Sequence, residues 1–314
     1  MPHPLLDAEV VREVEQAVSA HLGRQWRHQG FTDLKERASH PCGIFAGEQL
    51  PVFVKIYTDL NGLEQAAAEV AGLRFIGHVA NVGTPVPIGD GVIAIAAGSM
   101  VLSEALPERG AGHGLPSDSR TPADYADIGR ALARLHQVQG GVSGMPALDG
   151  FFGPLRLDSR PVVTGRWADF YAERRLLPIL RAARDAGHVP PDLAAAVEHV
   201  AGRLHQLCGP EPMPALLHGD AQQNNFVSTP GGAYLIDACP YFGHPEIDLA
   251  LTGFFHPVPE DLFAAYREIG PIDAGFAERA ELWRMHGYLA VAASGPAGAA
   301  LVLDRLAAAT RQYA

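Results

Sequence analysis

The chain has 314 residues, 47% hydrophobic and 19% charged, which allows one large or two modest apolar cores and excludes a disordered chain. Its formal net charge of −11 excludes the clustered Lys and Arg footprint that phosphate backbones recruit, so no nucleic-acid partner is expected. Cys42, Cys208 and Cys239 lie far apart in no metal-binding spacing, which fits a reducing compartment better than a disulfide framework.

Residues 1–22 carry acids and no apolar core of signal-peptide type. The most apolar stretch, residues 91–102, is too short and too Gly-broken to span a bilayer. No membrane partner is expected, and the expected location is the cytoplasm.

In chain order, Val10, Val14, Val18 and Leu22 recur on one helical face and predict a helix over residues 10–22. Residues 33–47, with Ser39, Pro41, Gly43 and Gly47, read as a polar, turn-rich stretch. PVFVKIY, residues 51–57, is β-branched and aromatic without a breaker and predicts a strand. Asn61 stands where it can cap a following helix, with Glu64 in the reciprocal position. That Ala-rich helix is expected over residues 63–76, ending near Gly77. Strands are expected around residues 92–96 and 99–102, after which residues 103–107 close the β-rich part.

Residues 110–116 are Gly- and Pro-rich and predict a loop. Thr121-Pro122 is a helix start, because the hydroxyl caps and the missing proline N–H costs nothing at the first position. Helices are expected over residues 123–138, 165–186 and 192–207, with two or three more after Pro259. One β excursion, residues 215–237, interrupts them. A β-rich part carrying one long helix, followed by a helical part with an embedded hairpin, predicts an α+β fold.

Phosphoryl transfer from ATP needs a cation on the phosphates and a carboxylate to hold it. It also needs a carboxylate base at the acceptor hydroxyl and oxygen ligands for Mg²⁺. The chain offers a candidate for each. Lys55, inside the strand VFVK, either snorkels outward at an edge or points at a ligand. Glu69 lies in the Ala-rich helix, where it either faces solvent or reaches back to Lys55. In LLHGDAQQNNF, residues 216–226, Gly219 permits a tight turn that lets His218 pack inward while Asp220 faces a cleft. Asn225 brings an amide oxygen, a hard ligand suited to Mg²⁺, and Asp237 ends the next apolar run, YLID. His218 reads as a buried histidine bonded to its loop, because no His-rich cluster accompanies it. Asp248, at the start of an apolar helix, reads as a loop anchor or an N-terminal cap.

These residues resemble the fructosamine kinase family, relatives of the aminoglycoside phosphotransferases within the protein-kinase-like superfamily. FVK with Lys55, AEVAGL with Glu69 and LLHGD…N with Asp220 and Asn225 are similar to its motifs. So are LIDACPYFGHPEIDLA (residues 235–250) and GRWADFYAERRLLP (residues 165–178), and together they cover nearly the whole chain. The resemblance implies a two-lobed protein-kinase-like fold: a nucleotide-binding lobe over residues 1–102, a hinge over 103–107, and a helical catalytic and substrate lobe over 108–314. It implies ATP and Mg²⁺ as cofactors, with Lys55 on the ATP phosphates, paired with Glu69. Asp220 would be the base, and Asn225 and Asp237 would hold the metal. Ser39 would lie over the phosphates, and Glu104 and Leu106 would offer backbone groups to adenine.

The implied activity is phosphorylation of a hydroxyl on a small-molecule acceptor, a ketosamine. The alternatives are an aminoglycoside or other natural-product kinase and a catalytically inactive nucleotide-binding protein. A hydrolase built on His218 and Asp220 lacks the further ligands such sites need. The chain departs from the family pattern in several places. The phosphate loop, residues 37–43, holds one glycine, and Pro41 removes a donor. Gln222 stands where bacterial members typically carry tryptophan. PLRLDSRP, residues 154–161, replaces a polar segment, and GYLAV, residues 287–291 of the expected last helix, replaces an Asn- and His-bearing one. These differences gather where the acceptor would bind.

Overall fold

The computed structural model describes residues 3–34, 40–109, 120–153 and 155–314. Helix α1 (Ala8–Leu22) starts where the Asp7 side chain accepts from the Glu9 N–H, and it stops at Gly23, whose φ of 66° is the left-handed cap. Its Val10, Val14 and Val18 pack on an antiparallel sheet whose strand order is β1-β2-β3-β5-β4. The strands are β1 (His28–Asp33), β2 (Cys42–Gly47), β3 (Val52–Tyr57), β4 (Pro87–Ile95) and β5 (Gly98–Glu104). β3 shows the period of two: Val52, Val54 and Ile56 enter the lobe core, while Lys55 and Tyr57 face the opposite way, into a cleft.

The polar stretch at residues 33–47 needs correcting, because much of it is strand. Asp33 pairs with Gly43 and Phe31 with Phe45, so long-range pairing overrides the turn-like composition. Ser39, expected over the phosphates, lies outside the described residues. Cys42 opens β2 and is 2% exposed. β5 also runs further than expected, taking Ser103 and Glu104 from the hinge into its ladder opposite Phe53 and Val52.

Helix α2 (Gly62–Ala80) is a turn longer than the Gly77 stop suggested and ends at Asn81, which takes the left-handed conformation at φ 51°. Asn61 occupies the N-cap position with ψ of 14° and makes no side-chain cap bond. Glu64, its expected partner, is ion-paired with Arg156 instead, at 3.1 Å. The first half of α2 packs Ala66 and Val70 on Tyr57 and Val101, and Leu73 and Ile76 join the core of the second lobe.

In the helical lobe, α3 (Pro122–His136) begins with a full capping box between Thr121 and Asp124. The hairpin β6 (Gly150–Phe152) and β7 (Leu155–Leu157) follows, without a sequence counterpart above. The helix expected over residues 165–186 is split into α4 (Trp167–Phe170), a π-helical turn (Tyr171–Leu176) and α5 (Leu177–Asp185). Next come α6 (Pro191–Gly202) and α7 (Leu204–Leu207), then β8 (Ala215–Leu217), β9 (Phe226–Thr229), β10 (Gly232–Leu235) and β11 (Tyr241–Gly243). Within the expected β excursion, β9 pairs with β10 as a hairpin, whereas β8 pairs with β11, a partner sequence patterning did not offer. Four helices complete the lobe: α8 (Glu246–Thr252), α9 (Glu260–Arg267), α10 (Phe276–Ala293) and α11 (Pro296–Gln312). Residues 287–291 therefore lie in the penultimate helix, not the last. The result is an α+β molecule with a β-rich lobe and a larger helical lobe. Among the described residues no helix is long and apolar enough to cross a membrane.

Candidate active site

A cleft of about 570 Å³ is lined by β3 and α2 on one side and by the β8–β9 and β10–β11 turns, the β6–β7 hairpin and α10 on the other. Lys55 Nζ, from β3, donates to Glu69 Oε2 at 2.9 Å and to Asp237 Oδ1 at 2.8 Å, joining two carboxylates from the two lobes. Tyr57, next on the same face of β3, donates its hydroxyl to the same Glu69 oxygen, and the Lys55 ammonium sits 5.1 Å from its ring centre. Glu69 can reach this point because of Gly72. A Cβ there would lie 2.8 Å from Pro240 Cδ and 3.1 Å from the Ala238 carbonyl, so the glycine lets α2 press against the loop that follows Asp237.

Electrostatics follow from this packing. Burial would strip Lys55 of its proton, but Asp237 and Glu69 beside it hold its pKa well above the usual ammonium value. Burial lifts Glu69 above the ordinary carboxylate range despite Lys55. Asp237, also desolvated, is drawn below its ordinary value by the Lys55 charge and hydrogen bond, and its side chain stays 34% exposed to the cleft. Asp237 also has a φ of 55°, a left-handed conformation that aspartate tolerates better than most residues.

Asp220 sits on the turn after β8. Gly219 makes the turn at φ 83°, and a Cβ there would lie 1.9 Å from the Cys239 carbonyl oxygen. The turn hangs from the buried Asp248 carboxylate, which accepts from the His218 N–H at 2.6 Å, the Gly219 N–H at 3.1 Å and His136 Nε2 at 3.1 Å. Asp248 is thus the loop anchor foreseen in the sequence. His218, fully buried, donates Nε2–H to the Ile236 carbonyl at 3.0 Å and accepts the Asp220 N–H at Nδ1, 3.3 Å. Burial lowers its pKa, so the ring is neutral and holds the loop as expected.

Asp220 Oδ2 accepts from Gln222 Nε2 at 3.0 Å and Asn225 Nδ2 at 2.9 Å, while Oδ1 is buried without a partner among the described residues. Burial, with no cation alongside, raises this carboxyl to about 7, against the pull of the two amides. Asn225 Nδ2 also donates to the Asp220 carbonyl at 2.8 Å, and its amide oxygen accepts no hydrogen bond from the described residues. At the hinge, the Glu104 N–H donates to the Val86 carbonyl and the Ala105 N–H to the Pro51 carbonyl, both at 2.9 Å. The Leu106 N–H has no partner among the described residues.

The structure thus brings Lys55, Glu69, Asp220, Asn225 and Asp237 to one cleft, with Glu104 and Leu106 at the lobe junction. Sequence reading passed over several neighbours. Tyr57 could have been found, since it lies two residues from Lys55 on a strand. His40, whose ring lies tilted against Tyr57 with centres 4.4 Å apart, and the β6 residues Phe151 and Phe152 gave no such signal.

The chain matches the family model for fructosamine kinase over residues 10–294. A protein of Synechocystis sp. named as a probable ketoamine kinase is 32% identical over 289 residues, 88% of either chain. A crystal structure from Thermobifida fusca, of a protein proposed to be a fructosamine-3-kinase, superposes with a TM-score of 0.76 at 30% identity, covering 96% of this chain and 99% of that one. The aminoglycoside phosphotransferase APH(4)-Ia shares the fold, with a TM-score of 0.60 at 17% identity, covering 96% of this chain and 99% of its own. On these grounds the chain belongs to the fructosamine kinase family and is a small-molecule kinase of the two-lobed, protein-kinase-like fold.

Proposed function

We propose that the chain transfers the γ-phosphoryl group of Mg·ATP to a hydroxyl of a ketosamine, with Asp220 as the base. The observation that carries this reading is the asymmetry of Asp220: one oxygen is fixed by two amide donors and the other is bare and buried at the cleft. A base needs that arrangement, with a fixed orientation and an acceptor oxygen that no protein donor claims. As the new O–P bond forms, the bond from phosphorus to the ADP oxygen breaks and the acceptor's hydroxyl proton passes to Asp220 Oδ1. Lys55 meets the phosphates with Glu69 behind it, and the Leu106 N–H with the Glu104 carbonyl meets adenine.

Asp237 and the amide oxygen of Asn225 form an all-oxygen donor set that fits Mg²⁺, which commonly takes one or two protein ligands and completes its shell from phosphates and water. When bound, the metal would neutralise charge on the phosphates. The ketosamine acceptor is supported by the family match and by the name of the Synechocystis relative.

Asp220→Asn is expected to lower turnover by about 10²–10⁴-fold while leaving nucleotide affinity within about threefold. Phosphorylated product counted by ³¹P NMR, beside nucleotide titration, checks both. Unchanged turnover would remove Asp220 from the chemistry, and an absence of product from any ketosamine would remove the acceptor class.

A further inference from the structure

The half of the cleft facing Asp220 carries features that phosphoryl transfer does not use. We propose that it selects an amine-bearing acceptor whose amine carries an apolar substituent free of carboxylate. This deepens the kinase reading above and rests on it.

Charge is the first ground. Among the described residues, the cleft is lined by the carboxylates of Glu69, Asp149, Asp220 and Asp237 against the one ammonium of Lys55. Lys55 is taken by Glu69 and Asp237, and burial together with Lys55 lowers the pKa of His40, which leaves it neutral. Arg156, just outside, has its charge balanced by two carboxylates. Its Nε and one terminal nitrogen bind Asp149 Oδ2 at 3.2 and 3.0 Å, and the other binds Glu64 at 3.1 Å. Among the described residues, a carboxylate on the acceptor would therefore meet no unpaired cation and several like charges, while an ammonium would find Asp149 Oδ1, which accepts no hydrogen bond from those residues.

Apolar surface is the second ground. Phe151 and Phe152 on β6, Leu155 on β7 and Val291 on α10 line this part of the cleft, and Phe255 stands on it 43% exposed. A large aromatic left open to water inside a cleft is surface for an apolar ligand group to cover. The neutral polar groups here, Gln222, Asn224 and Ser294, suit hydroxyls and give a carboxylate no charge partner.

A matched pair of ketosamines tests this: N-benzyl fructosamine against N-(4-carboxybenzyl) fructosamine, with Mg·ATP and the full chain. The benzyl compound is expected to be favoured in kcat/KM by about tenfold or more. Lengthening an N-alkyl series from methyl to hexyl should raise kcat/KM several-fold. Equal or better turnover of the carboxybenzyl compound overturns the proposal.

Ser294→Arg places a cation at the exposed C-terminal end of α10, where a positive charge is compatible with the helix. It should bring the ratio of the pair toward one, and an unmoved ratio would overturn the assignment to this part of the cleft. Failure of the kinase reading itself looks different, since neither compound would then yield phosphorylated product, and both ideas would fall together.

Discussion

Asp220 is held on a fixed turn with one bare oxygen, and that has a thermodynamic cost as well as a proposed chemical use. Burial raises its pKa from 3.8 to about 7, so between those values the unfolded chain ionises while the folded chain does not. Stability is full below the lower value and declines as pH rises through the upper one. Asp220→Asn, which cannot ionise, should therefore gain on the natural chain as pH rises from 5 to 8, by on the order of 2 kcal/mol. Urea denaturation at the two values checks this, and a gap that stays constant would contradict the burial argument. At this scale the sequence was readable where a charged residue interrupts an apolar run, as with Lys55, Asp220 and Asp237. Tyr57 and His40 escaped because an aromatic beside apolar residues, or a histidine in a loop, has many other uses.

The π-helical turn at Tyr171–Leu176 has an identifiable cause in one proline. Pro178 has no N–H to give the Arg174 carbonyl and its ring crowds that oxygen, so the helix widens and the Leu177 N–H reaches the Ala172 carbonyl instead. Arg175 fills the vacancy. Its guanidinium, buried and stacked 3.9 Å from the Tyr241 ring centre, donates to the Arg174 carbonyl at 2.9 Å, the Asp158 carbonyl at 3.1 Å and Ser159 Oγ at 3.0 Å. Arg175→Leu would leave the two carbonyls without this donor and should destabilise the protein by about 2–4 kcal/mol, with Arg175→Lys a poor rescue because it lacks the planar fork. Thermal and urea denaturation of both variants check this, and a loss below about 1 kcal/mol would contradict it. Helix spacing over residues 165–186 was legible, but the break inside it was not, since hydrophobic period is nearly blind to a single widened turn. The same limit hid β1 and β2, which become strands through each other.

The two lobes keep separate cores, bridged by α2, by the Leu235 N–H donating to the Gly83 carbonyl at 2.8 Å, and by the Lys55–Asp237 pair. The order of lobes was visible because it is written along the chain. The pairing of β8 with β11 was not, because three-residue strands carry too little pattern to name a partner. A ligand that binds the folded cleft stabilises the whole molecule, by about 2.7 kcal/mol at a hundredfold excess over Kd. Mg·ATP should therefore raise Tm, and ATP with a chelator should raise it much less, since Asp220 and Asp237 then face the phosphates uncompensated. A calorimetric scan under both conditions checks this, and equal shifts would remove the metal from the site.

The Lys55–Asp237 pair joins the two lobes, and that bears on what a nucleotide affinity would mean. If Lys55 meets the phosphates as proposed, they would compete with Asp237 for its ammonium, and nucleotide binding would be an exchange of partners. A dissociation constant measured at such a site is a difference between two well-made contacts. A modest value would then record how well the resting protein satisfies itself, and reading it as poor recognition would mistake a strong competitor for a weak guest.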